Sequence, residues 1–103
     1  MWNYFFVNIK INNYNMKQLF LVSDQKGMIQ AYTTFKEGKI KFDQMCANHI
    51  KHLSENPSFN YKRFTVEIDG QKIYQFRSYY RTTVKGKTRL NSDIFSLQTI
   101  TIE

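Results

Sequence analysis

Cys46, His49 and His52 fall three residues apart in the stretch Met45-Cys46-Ala47-Asn48-His49-Ile50-Lys51-His52. On a helix, a thiolate and an imidazole at this spacing share a face and could hold a metal or form a nucleophile–base pair. His52 cannot join them, because six residues of helix rotate it by about 240° from Cys46. One Cys and two His exclude an internal disulfide and the usual four-ligand zinc sites. Cys46 and His49 also share their face with Phe42, Met45, Ile50 and Leu53, so the plainer reading is a buried Cys and a hydrogen-bonded core His. The carboxylates are no more promising. Eight acids are scattered along the chain, and Glu67 and Asp69, on one strand face, flank a turn where acids commonly serve solubility. Gly27, Gly38, Gly70 and Gly86 are isolated and form no phosphate-binding loop. We expect no catalytic residue, no metal and no cofactor, and hence a protein that is not an enzyme.

The basic residues say more. The chain carries 15 Lys and Arg against 8 Asp and Glu, a formal charge of +7. Residues 77–89 hold Arg77, Arg81, Lys85, Lys87 and Arg89 and no acid. Strand alternation puts Arg77, Tyr79 and Arg81 on one face, while Lys85 and Lys87 ride the adjoining turn. Arg offers a planar fork to phosphate, Tyr a stacking surface, and a protruding basic hairpin can enter a groove. The competing reading is a solvated sheet face whose charges discourage edge aggregation. Five uncompensated cations interleaved with a Tyr favour nucleic acid. The expected contact residues are Arg77, Tyr79, Arg81, Lys85, Lys87 and Arg89.

The elements that must position these residues follow from periodicity. Residues 4–11 alternate, with Phe5, Val7, Ile9 and Ile11 on one face, and Asn12, Asn13 and Asn15 mark a turn. A short apolar run at 19–22 closes at residues 23–27. Residues 28–35 fit either period; Tyr32-Thr33-Thr34-Phe35 is rich in strand formers and tips the reading to strand. Residues 42–54 show a full amphipathic stripe, ended by Asn56-Pro57. Beyond Phe59, Phe64, Val66 and Ile68 alternate up to the hairpin signal Asp69-Gly70. A long return strand over 72–84 meets a second turn at Lys85-Gly86-Lys87. In residues 94–102, Phe95 and Leu97 are out of phase with Ile100 and Ile102, which implies a bulge or a strand covered on both faces.

The expected fold is α+β: one amphipathic helix, about 42–54, packed on a mostly antiparallel sheet with C-terminal β-hairpins. The whole chain, 1–103, reads as a single small basic domain. If 28–35 were helical instead, a winged helix-turn-helix would result, with the Asp69-Gly70 hairpin as its wing. That alternative ranks lower, because Gln44, Asn48 and Lys51 make a thin recognition face.

No apolar run approaches the ~18 residues a bilayer crossing needs, and residues 1–11 lack the basic lead and small-residue cleavage site of a leader. The expectation is a cytoplasmic protein with no membrane partner. Eleven Lys against four Arg, with abundant Asn, Ile, Phe and Tyr, fit an AT-rich coding sequence such as a phage or plasmid carries. The expected function is nucleic-acid binding without catalysis, DNA ahead of RNA, with a homodimer left open. The alternative is a protein-interaction or inhibitor module docking on an acidic partner. A small basic ribonuclease toxin, using Arg77, Tyr79 and Arg81 to steady phosphate charge, comes last.

Overall fold

The computed structural model describes residues 18–102. The strand expected over residues 4–11 and the turn after it lie outside the described residues. Five strands and one helix follow in the order β1 (Gln18–Ser23), β2 (Ile29–Tyr32), α1 (Phe35–Leu53), β3 (Asn60–Ile68), β4 (Gln71–Val84) and β5 (Lys87–Thr101). The strands form one sheet in the order β2-β1-β5-β4-β3, and every neighbouring pair is antiparallel. α1 lies across one face of it, so the fold is α+β.

Local chemistry explains each turn. Asp24 accepts the backbone N–H groups of Lys26 and Met28 on its Oδ1, at 2.9 and 3.0 Å, and so closes the β1–β2 loop. Asp69-Gly70 and Lys85-Gly86 both have positive φ at both positions, which makes them two-residue type I′ turns whose twist matches the strands they join.

The helix begins seven residues earlier than the apolar stripe predicts. Thr34 is its N-cap: the Thr34 hydroxyl accepts the Glu37 N–H and donates to the Glu37 carboxylate at 2.8 Å. Its first two turns hold two large apolar residues, Phe35 and Ile40, both partly exposed among Lys36, Glu37, Lys39 and Lys41, and a glycine at the buried position, so the stripe fades there. Gly38 is there for proximity. A Cβ at this position would sit 3.1 Å from Leu97 Cδ1 and 3.3 Å from Phe20 Cβ, so the helix lies almost directly on β1 and β5.

Residues 28–35 therefore divide into strand β2 and the helix cap. The described residues contain one helix, and the first helix of a winged helix-turn-helix is replaced by Ile29–Tyr32 in extended form. β5 also departs from expectation. It runs from Lys87 without a bulge, in continuous register with β4 and then β1. The phase change arises because Phe95 and Leu97 face α1, whereas Ile94 and Ile100 face the other way. Ile100 is paired there with the buried Leu19.

Val22, Phe42, Cys46, Phe76, Phe95 and Leu97 form the core between helix and sheet. Phe76 stacks on Phe95 at 5.5 Å and on Tyr61 at 5.3 Å between ring centroids. Phe76 and Phe95, both buried, contribute about 1.5–3 kcal/mol each, whereas Tyr61 stays partly exposed. Of the stripe residues, Leu53 and Ile50 are only half-buried; the deepest are Phe42 and Cys46.

Phe42→Ala should accordingly cost about 3–5 kcal/mol in denaturant melts, and Leu53→Ala clearly less. Gly38→Val should destabilise by about 1–3 kcal/mol, because the added side chain would press on Leu97 Cδ1 and Phe20 Cβ. A Gly38→Val midpoint above that of the parent would show that the helix is not pressed onto β1 and β5.

Candidate functional site

β4 and β5 are much longer than their neighbours. The β3 ladder stops at Asn60 opposite Tyr79, and the β1 ladder stops at Ser23 opposite Ser96. From Tyr80 opposite Asn91 to Val84 opposite Lys87, the two strands pair only with each other among the described residues. This distal part is a two-stranded ribbon. Every residue from 81 to 90 is exposed, and four of the ten are cations. The radius of gyration, 16.3 Å, exceeds the ~13 Å of a compact chain of this length, as a protruding ribbon requires.

The ribbon is held at its root by the loop that follows the helix. The Arg81 N–H donates to Ser58 Oγ at 2.8 Å, and Asn56 Nδ2 donates to the Arg81 carbonyl at 2.9 Å. Asn56 Oδ1 in turn accepts from Ser58 N–H and Oγ. Two side chains thus replace the third strand where β3 has ended. Tyr80 donates to Asp93 at 2.9 Å just inside the root. Further out, Asn91 donates to Thr82 Oγ1, and the Thr83 and Thr88 hydroxyls meet at 3.3 Å.

The six residues expected at the site do not share one face. Arg77, Tyr79 and Arg81 point away from α1. Lys87, opposite Val84, and Arg89, opposite Thr82, lie on the helix side of the ribbon, and Lys85 sits at its tip in the left-handed conformation. Arg81, Lys85, Lys87 and Arg89 therefore surround the ribbon. Arg77 belongs to the body of the sheet, between Lys62 and Ile94, and its buried Nε has no hydrogen-bond partner among the described residues. Tyr79 is half-buried between Asn60 and Ser92.

Two features escaped the sequence reading. On β3 the apolar alternation of Phe64, Val66 and Ile68 faces away from the helix, and Phe64 and Ile68 are 37% and 53% exposed. Lys62 shares that side, opposite Arg77. Glu67 faces the helix side, opposite Lys72, and Asp69 is in the turn. The strand residues that face away from α1 consequently include Lys62, Arg77 and Arg81 and no carboxylate among the described residues.

The Cys46–His49 spacing has a different outcome. Cys46 is buried in the core, where loss of solvent pushes its thiol up to about 11. A thiol so protonated is a poor nucleophile. His49 instead turns its Nε2 to Ser78 Oγ at 2.8 Å and to Asp93 Oδ2 at 3.5 Å, within rings of Phe59, Phe76, Tyr80 and Phe95. Serine, histidine and aspartate here do not make a hydrolytic relay, in which the carboxylate and the hydroxyl hold opposite ring nitrogens. Both use the same one, and Ser78 is wholly buried. The group satisfies polar atoms between helix and sheet. A groove of about 430 Å³ opens beside it, between α1 and the β1–β2 turn. Its one carboxylate, Asp24, is occupied by the turn, and Lys41, His49 and His52 also line it.

No family model, curated protein or solved structure matches this chain.

Burial holds the His49 imidazolium below the ordinary histidine range; Asp93 opposes this shift and His52 reinforces it. The unfolded chain therefore takes up the proton at higher pH than the folded one. The stabilisation is complete above pH ~6.5 and declines as pH falls through that value towards the folded pKa. Denaturant midpoints measured from pH 8 to 5 should fall, and His49→Phe should flatten the decline. An unchanged pH profile in His49→Phe would remove His49 from the stability of the fold.

Proposed function

We propose that this protein binds nucleic acid, DNA ahead of RNA, through the β4–β5 ribbon, and that it does so without catalysis. The observation that carries the reading is the ribbon itself: two strands, free of the sheet, with Arg81, Lys85, Lys87 and Arg89 distributed around them and no acid. The major groove of B-form DNA, about 12 Å wide, admits a two-stranded ribbon, and cations on both faces then meet the phosphates of both groove walls. Cations on a single face would suit a flat surface better. The acid-free side of the sheet, with Lys62 and Arg77, continues the positive field from the ribbon root inward and attracts a polyanion over a longer path. A cytoplasmic setting and a phage or plasmid origin accord with this reading.

An acidic protein is the second reading. Val84 and Leu90 are 65% and 67% exposed on the ribbon, and apolar side chains among cations suit a partner that buries both.

Gel shifts on duplex and single-stranded DNA at several salt concentrations test the first reading. Affinity should fall steeply with salt, and Arg81→Ala and Arg89→Ala should each flatten the slope by roughly 0.9. Folding should change by less than ~0.5 kcal/mol, since both residues are exposed. Tyr79→Ala should matter more on single strands than on duplex if bases stack on it. A parent that binds neither form at physiological salt, or an Arg81, Arg89 double variant that binds as the parent does, leaves the acidic partner as the better reading.

A further inference from the structure

The sheet has two edges of different character. β2 is four residues long, whereas β3 runs nine residues, Asn60–Ile68, with no proline and no bulge, and nothing among the described residues pairs with its outer side. Long regular edges of this kind recruit another strand unless they are blunted.

The hydrogen-bonding pattern of that edge follows from the turn. Ile68 and Gln71 flank a two-residue loop and exchange both of their hydrogen bonds. Alternation along the ladder then turns the N–H and C=O groups of Tyr61, Arg63, Thr65 and Glu67 outward. An incoming antiparallel strand must pair with these four.

We propose that β3 pairs antiparallel with β3 of a second copy of this chain, centred on Thr65, to form a two-fold dimer whose sheet is continuous across both copies. Charge selects the register. With Thr65 opposite Thr65, Arg63 of each copy faces Glu67 of the other, and two cross-strand ion pairs form. Centring on Arg63 or on Glu67 would set like charges against each other, and centring on Phe64 would set Arg63 against Thr65 and form no ion pair. The same register lays Phe64 beside Val66 on the side away from α1, and so covers apolar surface that is exposed in the single chain. In the single chain the Arg63 guanidinium lies 2.6 Å from Asp43 and over the Phe42 ring. The remaining N–H groups of that guanidinium can accommodate a second carboxylate.

The two-fold axis stands perpendicular to the sheet, so both copies turn their acid-free side the same way and their ribbons point in opposite directions. The dimer does not depend on the nucleic-acid reading and is measured without it.

Sedimentation equilibrium of the full chain over a wide concentration range is the test. The parent should approach twice its 12.4 kDa mass as concentration rises. Thr65→Pro removes an outward N–H that β4 does not use, so the variant should fold, and its dimer dissociation constant should rise about tenfold or more. Glu67→Arg, which sets cation against cation, should do the same without any backbone change. Thermal melts of both variants confirm folding. A parent that stays monomeric throughout, or a dimer whose dissociation constant is unchanged in both variants, overturns the proposal.

Discussion

The pairing of β4 with β5 is the constraint on which the rest of the structure depends. It runs unbroken from Ile73 opposite Gln98 to Val84 opposite Lys87, and the other elements cover only its proximal half. There, β3, β1 and α1 turn it into the centre of a sheet, with Phe76 and Phe95 stacked across the ladder as the middle of the core. Beyond Tyr79 the same two strands continue into solvent. One pair of strands is thus both the most buried and the most exposed part of the molecule. The tight Lys85-Gly86 turn holds the register of both halves.

The packing of α1 follows from how closely it approaches this pair. Gly38 lets the first turns rest against Leu97 and Phe20, which brings Phe42 and Cys46 over Phe76 and Phe95. One turn further, His49 arrives where the sheet offers Ser78 and Asp93, polar groups that would be costly if left unpaired at this depth. The helix end then releases the loop that carries Asn56 and Ser58 to the ribbon root. The distance between helix and sheet, set at one end by a glycine, thereby governs the contacts at the other.

Much of this was legible in the residues. Asp69-Gly70 and Lys85-Gly86 announced their turns because each turn needs positive φ at both positions. Residues 28–35 fitted both periods, and the structure uses both: Ile29–Tyr32 is strand, whereas Thr34 caps the helix that Phe35 begins. The early start of α1 was signalled by Thr34 and Glu37 alone. Its burial there is by a glycine, and a residue without a side chain leaves no trace in a hydrophobic pattern. The side to which β3 turns its apolar residues was not legible for a related reason. Phe64, Val66 and Ile68 look like a core face, but the helix covers only one side of the sheet, and alternation does not say which. For the site, the basic run was plain, whereas the division of its cations between two faces needed the register. Lys62 was missed because it adjoins Arg77 only across strands.

The root of the ribbon gives the molecule two separate stabilities. Arg81 is the last residue of β4 whose backbone is satisfied from outside the strand pair, by the side chains of Asn56 and Ser58. Distal to it, the ribbon is held only by its own ladder, its threonine contacts and its turn, and a lone hairpin of this kind is marginal in water. Opening of the tip exposes no core residue and leaves the Phe76–Phe95 stack intact. The ribbon and the body are therefore two cooperative units joined at one residue. Amide exchange along β4 then has two limits: fast local opening from Thr82 outward, and slow global unfolding from Ser78 inward.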